Sequence, residues 1–266
     1  MGAVISTFHF AARQVARIYN YLFVKPIIEF IIRKNTIIDK VDIDELNIPK
    51  NTTKLLCIRN TITPEIFKEF FMHLSDFKNL DTLYFSNTNM HNTNLHYINM
   101  LSNLQYFIIT ECDNINILSL FVGIHKRPLK ELSLSYNGLN DITIICNGLR
   151  YFANTLETLN LKGNLFGDYG IYKLCEVLPH LHKLKSLFVV RNEITDDGLL
   201  LLINVLPKMP LLEHLEIDRN NMTSSIYEIL TNTLNKLPNI KRVHIEQTMA
   251  SGVSWENRPR YYVLCS

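Results

Sequence analysis

Glycine and proline are scarce, nine of each in 266 residues, which excludes a collagen-like or proline-rich chain. No uninterrupted apolar run reaches the ~18 residues that a membrane-spanning helix needs. The nearest candidate, residues 21–32, is broken by Lys25, Pro26 and Glu29. The five cysteines (Cys57, Cys112, Cys146, Cys175 and Cys265) are odd in number and show no CxxC or zinc-type spacing. Without a short apolar h-region and small-residue cleavage site at the N-terminus, a reducing compartment with free thiols is expected. P-loop, post-strand GxGxxG, HExxH and GxSxG signatures are all absent. The net charge is only +2, too small for a nucleic-acid footprint over the whole molecule. An apolar fraction of 47% excludes a mainly disordered chain.

What is present is a repeat. Four segments fit L-x-x-L-x-L-x-x-N: Leu129/Leu132/Leu134/Asn137, Leu156/Leu159/Leu161/Asn164, Leu184/Leu187/Val189/Asn192 and Leu212/Leu215/Ile217/Asn220. A weaker copy follows at Ile240/Val243/Ile245/Thr248, and the final positions step by 27, 28, 28 and 28 residues. Upstream copies run Leu104/Phe107/Ile109/Cys112, Leu80/Leu83/Phe85/Thr88 and Thr52/Leu55/Cys57/Asn60, at steps of 25, 24 and 28 counted back from the downstream set. About eight units therefore span residues 51–250. In each, x-L-x-L-x reads as a short strand whose Leu side chains share a core, closed by an Asn that bonds backbone of adjacent turns. Thr88, Cys112 and Thr248 should be weaker rungs. The second half of each unit has helical spacing, as in Leu174, Val177 and Leu178 before Pro179. Asp168, Asp197 and the pair Thr223 and Ser224 suit helix N-caps.

These motifs resemble the leucine-rich repeat family, in its ribonuclease-inhibitor-like class. The resemblance implies an α/β fold: a right-handed solenoid, or horseshoe, with a parallel concave sheet and convex helices. The 24- and 25-residue units should carry a helical turn or irregular segment in place of a full helix. The solenoid edges need covers. Residues 37–50 serve as an N-terminal cap, within an alternating apolar and acidic stretch, and residues 251–266 as a C-terminal cap or tail.

Residues 1–36 stand apart. They hold five basic residues (Arg13, Arg17, Lys25, Arg33 and Lys34) against Glu29 alone, whereas the remainder has 22 basic and 24 acidic residues. The opening M-G-A-V-I-S resembles an N-myristoylation site, with lipidation at Gly2 and Ser6 in the required place. A basic amphipathic helix should follow, with Phe8, Val15, Tyr19 and Leu22 on an apolar face and Arg13 and Arg17 elsewhere. The segment reads as a membrane anchor, as a cap on the first repeat, or as a mitochondrial transit peptide. Residues 27, 28 and 30–32 look like cap or core.

No catalytic, cofactor-binding or metal site is expected. His180 and His182, and His91 and His96, read as exposed polar residues; the cysteines read as core. Function therefore falls to the surface. Residues flanking the second Leu of each unit point to the concave side; the central strands offer Tyr84, Tyr106, Ile108, Phe188 and Val190 as candidate protein contacts, with Tyr136 and Arg191 at strand ends. A charged flank of His214, Glu216, Asp218, Arg219, Arg242, His244 and Glu246 continues the face. The expected function is a non-enzymatic interaction scaffold with a protein partner, no nucleic acid, and a tether at the cytoplasmic face of a membrane. Two other readings use the same scaffold. One is a mitochondrial assembly factor. The other is a GTPase-activating regulator, for which Arg59 and Arg191 follow the strand motif but the acidic C-terminal region of Ran GTPase-activating proteins is missing.

Overall fold

The computed structural model describes residues 29–33, 37–38, 48–90 and 93–245. Within them the two-residue alternation of apolar side chains builds one nine-stranded parallel sheet. Its strands are β1 (Glu29–Arg33), β3 (Lys54–Ile58), β5 (Thr82–Ser86), β6 (Tyr106–Thr110), β7 (Glu131–Ser135), β8 (Thr158–Asn160), β9 (Ser186–Phe188), β10 (His214–Glu216) and β11 (Arg242–His244), hydrogen-bonded in that order. A two-stranded sheet of β2 (Ile37–Ile38) and β4 (Thr61–Ile62) lies beside it. The register puts Leu55, Leu83, Phe107, Leu132, Leu159, Leu187, Leu215 and Val243 in one row, all buried. Each such side chain contributes about 1.5–3 kcal/mol by leaving water.

The sheet starts earlier than the sequence reading set it. β1 pairs with β3 from Glu29↔Lys54 to Arg33↔Ile58, so part of the segment 1–36 read as helical is strand. Residues 27–35 in fact fit the motif through Ile27, Phe30, Ile32 and Asn35. Asn60 Nδ2 donates to Ile32 O at 3.2 Å, joining this unit to the next.

On the other side run α1 (Pro64–Leu74), α2 (Ile117–Ile124), α3 (Thr143–Leu149), α4 (Gly167–Cys175), α5 (Asp196–Val205) and α6 (Tyr227–Leu234). Their inward faces bury residues such as Phe67, Phe71, Leu120, Ile145, Leu174, Leu202 and Leu230. The 24-residue unit between β5 and β6 has only a 3₁₀ turn, Leu95–Met100, as its length demands. The short unit before β7, by contrast, holds the full helix α2. Among the described residues no helix is long and apolar enough to cross a membrane.

The closing Asn side chains knit neighbouring turns. Asn164 Nδ2 donates to Leu134 O (3.0 Å) and Leu161 O (2.9 Å), and its Oδ1 accepts from the amides of Asn137 (3.2 Å) and Leu139 (3.1 Å). Asn192 and Asn220 repeat this pattern. Thr88 and Cys112 are thinner rungs. Thr88 Oγ1 reaches Cys57 O at 3.3 Å, and Cys112 Sγ accepts from Thr88 N at 3.4 Å. Thr248 lies outside the described residues.

The helix caps differ from expectation. Thr195, not Asp197, caps α5, its side chain accepting from Asp197 N. Asp168 instead crosses to the next repeat, where Thr195 N and Oγ1 donate to its carboxylate at 2.8 and 2.6 Å. Asp196 does the same for Thr223. These carboxylates hold one helix start to the next, which a single-repeat view misses.

Candidate functional site

Three outward rows cover the concave sheet. The register aligns Tyr84, Ile108, Ser133, Asn160, Phe188, Glu216 and His244 in the middle row. Tyr106 and His214 stand in the row before it. Curvature crowds this inner surface. Ile108 is 3% and Val190 6% exposed, so neither offers the contact surface expected of it. Tyr84 and Tyr106 are partly buried. Burial raises the pKa of both, that of Tyr106 to about 12, with Asp81, Glu157 and Glu131 adding to the rise there. Both therefore keep their protons and offer neutral phenol groups to a partner.

Past the last strand residue, the units from β3 to β10 turn through a left-handed position: Arg59, Asn87, Glu111, Tyr136, Gly163, Arg191 and Arg219, with φ from 50° to 65°. A non-glycine residue there costs about 1 kcal/mol or more, and persists because the surroundings fix it. Here a further backbone rung fixes it: Arg59 N to Ser86 O, Asn87 N to Thr110 O, Tyr136 N to Lys162 O and Arg191 N to Asp218 O, at 2.7–3.2 Å. The side chains of this row project at the rim of the concavity. Tyr136 is 41% exposed and lies against Gly163, where a Cβ would come within 2.1 Å of its Cδ1. The glycine thus gives the ring a flat seat. Arg191 and Arg219 are exposed on the same row. Tyr136 also closes one side of a polar hollow of about 560 Å³ lined by Arg59, Asn87, Glu111 and Asp113. Arg59 was noted in the sequence as following the strand motif; Glu111 and Asp113 were not singled out. Aligning the last x of every motif would have grouped Arg59 and Glu111 with Tyr136 and Arg191.

The C-terminal half of the face is charged and internally paired. Lys162 Nζ forms an ion pair with Glu216 and lies 4.8 Å from the centre of the Phe188 ring. Phe188 is therefore partly covered, not a free anchor. Before the strands, Glu157 pairs with Lys185 and Glu213 with Lys241, each at 2.7 Å. Arg219 Nε lies 3.7 Å from Asp218, and Arg242 Nε donates to His244 Nε2 at 2.9 Å. Ligand-type atoms of Glu216, Asp218 and His244 lie within 4.8 Å of one another, a set that could hold a divalent cation. Each of the three already has a cationic side chain at hand: Lys162, Arg219 and Arg242. His214, half-buried, has its pKa lowered first by burial and then by Lys241 and Arg242, against the opposing Glu213 and Glu216. Its Nδ1 is buried with no partner among the described residues. Gly2, Phe8, Arg13, Val15, Arg17, Tyr19, Leu22 and Glu246 lie outside the described residues.

Of the described thiols, Cys57, Cys112 and Cys146 are buried in the core and Cys175 packs against it, partly buried. Burial is the first cause in raising all four pKa values, those of Cys112 and Cys175 to about 11 and that of Cys146 to about 12, while Cys57 goes higher still. None is poised as a thiolate nucleophile.

A family model described as Leucine Rich repeat matches residues 125–142, 152–175 and 180–202. No curated protein matches the chain as a sequence. Among solved structures, a leiomodin-1 fragment titled actin-binding site 2 is 14% identical, with a TM-score of 0.44, over 50% of this chain and 79% of that one. A chain from an octameric complex of latrophilin 3, Unc5D and FLRT2, the last marked as its leucine-rich repeat part, is 16% identical with a TM-score of 0.46. That match covers 76% of this chain and 63% of the other.

Proposed function

We propose that this chain, a leucine-rich repeat protein, is a non-enzymatic scaffold that holds a protein partner on its concave face. The units between Leu129 and Ile245 fit the ribonuclease-inhibitor-like class in length. The observation that carries the reading is the rim row. Tyr136 is presented on Gly163, and Arg191 and Arg219 follow it at the same repeat position, all exposed, with the amides of Tyr136 and Arg191 held by hydrogen bonds to the next repeat. A rigid aromatic beside arginines loses little entropy on binding and is the usual make-up of an interface hot spot. The paired charges of the C-terminal strands would set orientation and select against wrong partners.

The test is quantitative capture from the native cells by wild type and by the variant Y136A/R191A. Capture of the wild-type partner set should fall about tenfold or more, with the melting temperature within a few degrees of wild type. Equal capture by the two proteins overturns the assignment.

The proposal extends to location. A myristoyl group on Gly2 and a basic amphipathic helix would together tether the scaffold to a cytoplasmic membrane face, since one acyl chain alone binds only marginally. Gly2→Ala should release the protein from the membrane fraction; an unchanged distribution overturns the tether.

A further inference from the structure

The convex face carries an apolar groove that the concave-face reading does not use. It lies between α2 and α3 and measures about 360 Å³. Its floor forms where Gly148 of α3 lies against the Phe121 ring of α2; a Cβ there would come within 2.1 Å of Phe121 Cδ1. Its walls are Leu118 and Val122 on one side and Ile144 and Tyr151 on the other. Leu118 and Tyr151 are each 63% exposed, and Val122 and Ile144 are exposed as well. Four large apolar side chains around one furrow form a patch of the kind that marks an interaction site.

The charge beside the groove selects its occupant. Lys126 follows α2 and Arg150 follows α3, both exposed, and among the described residues neither is in an ion pair. α2 and α3 themselves carry no acidic residue. A second copy seated groove to groove would bring these cations against their own kind. The chain's own residues 1–28 hold Arg13, Arg17 and Lys25 and no acid, so they share the sign of the rim. The helices further along the convex face carry acids, Glu65 and Glu69 on α1 and Asp196 and Asp197 on α5. A flat anionic bilayer would face those acids as well as the furrow, whereas a single helix lies against the furrow alone.

We infer that the groove between α2 and α3 is a second docking site, taking an amphipathic helix of a partner protein with its apolar face inward and acidic residues toward Lys126 and Arg150. Leucines at i, i+3, i+4 and i+7 fit a furrow lined in this way. The site does not depend on the concave face and can fail or stand without it.

The test uses the full chain and two synthetic helices of about 18 residues, both with leucine at those spacings. One has glutamate on its remaining faces, the other lysine; fluorescence anisotropy at low salt reads binding. The acidic helix should bind about tenfold more tightly than the basic one. The charge-swapped K126E/R150E protein should reverse that preference, and L118E/V122E should abolish binding of both, with the circular dichroism of each variant unchanged. Should one variant fail to fold, the other still decides the matter. A preference that is absent, or that survives the charge swap, overturns the proposal. So does binding to phosphatidylserine vesicles lost through the same residues, or a dimer in sedimentation lost through them.

Discussion

Lys162 and Glu216 are two repeats apart in the chain and form an ion pair across the strand between them, above the ring of Phe188. Three successive strands are thereby tied on their concave side by one cation that serves a carboxylate and an aromatic face together. Both side chains keep partial contact with water, which limits the energy involved.

A double-mutant cycle on Lys162→Ala and Glu216→Ala should give a coupling of about 1 kcal/mol. Urea unfolding of the four proteins measures it. Lys162→Ala should also uncover Phe188, and so alter partner capture more than it alters stability. A coupling indistinguishable from zero would show that the pair adds nothing to stability.

Asn164→Ala should destabilise by about 3 kcal/mol, because it leaves Leu134 O and the amides of Asn137 and Leu139 without their partner inside the stack. Thr88→Val should cost less, since the Thr88 side chain makes fewer bonds, only one of them to the preceding repeat. Denaturant midpoints of the two variants compare them directly, and a larger loss at Thr88 would refute the rung hierarchy.

That hierarchy was legible in the sequence, because Asn, Thr and Cys occupy one repeat position and differ in bonding capacity. The first strand was legible in principle but was overlooked. Ile27, Phe30, Ile32 and Asn35 fit the motif, yet the surrounding basic and apolar residues suggested a helix or a cap. The cover over Phe188 and the burial of Ile108 and Val190 were not legible. Outward direction follows from strand periodicity, but crowding on a curved face depends on the rotamers of neighbours 24 to 31 residues away. Asp168 was read as a local cap, and Asp196 was not singled out, for the same reason: their partners, Thr195 and Thr223, are 27 residues on.

Gly163→Ala should destabilise by about 1–2 kcal/mol. Its φ of 65° disfavours any Cβ, and the added methyl would strike the Tyr136 ring. Tyr136 must then leave its seat, so partner capture should fall together with the melting temperature. Retained capture would separate Tyr136 from the binding face.

His214 predicts a pH effect. Its folded pKa lies below the ordinary histidine value of about 6.5, chiefly through burial. The unfolded chain therefore binds more protons in the window between the two values. Stability should rise with pH across that window and be lost as pH falls below about 6.5. His214→Gln should flatten this slope in urea titrations from pH 5 to 7.5; an unchanged slope would assign the effect elsewhere.

Asp196 acts at lower pH. Burial opposes its ionisation, but the hydrogen bonds from Thr223 and Ser225 outweigh that and hold its pKa below the usual carboxylate value. Its contribution is present above the unfolded value of about 3.9 and is lost as pH falls through the folded one. Asp196→Asn should make acid unfolding less steep in that range, followed by circular dichroism. An identical acid transition would remove this carboxylate from the account.

Hydroxyl-radical footprinting of the protein with its captured partner tests the concave-face claim most directly. Bound partner should protect Tyr136 strongly, and Tyr84 and Tyr106 in part, while the exposed convex residues Tyr169 and Tyr172 keep their oxidation rates. Unchanged oxidation of Tyr136, Tyr84 and Tyr106 in the complex would contradict it.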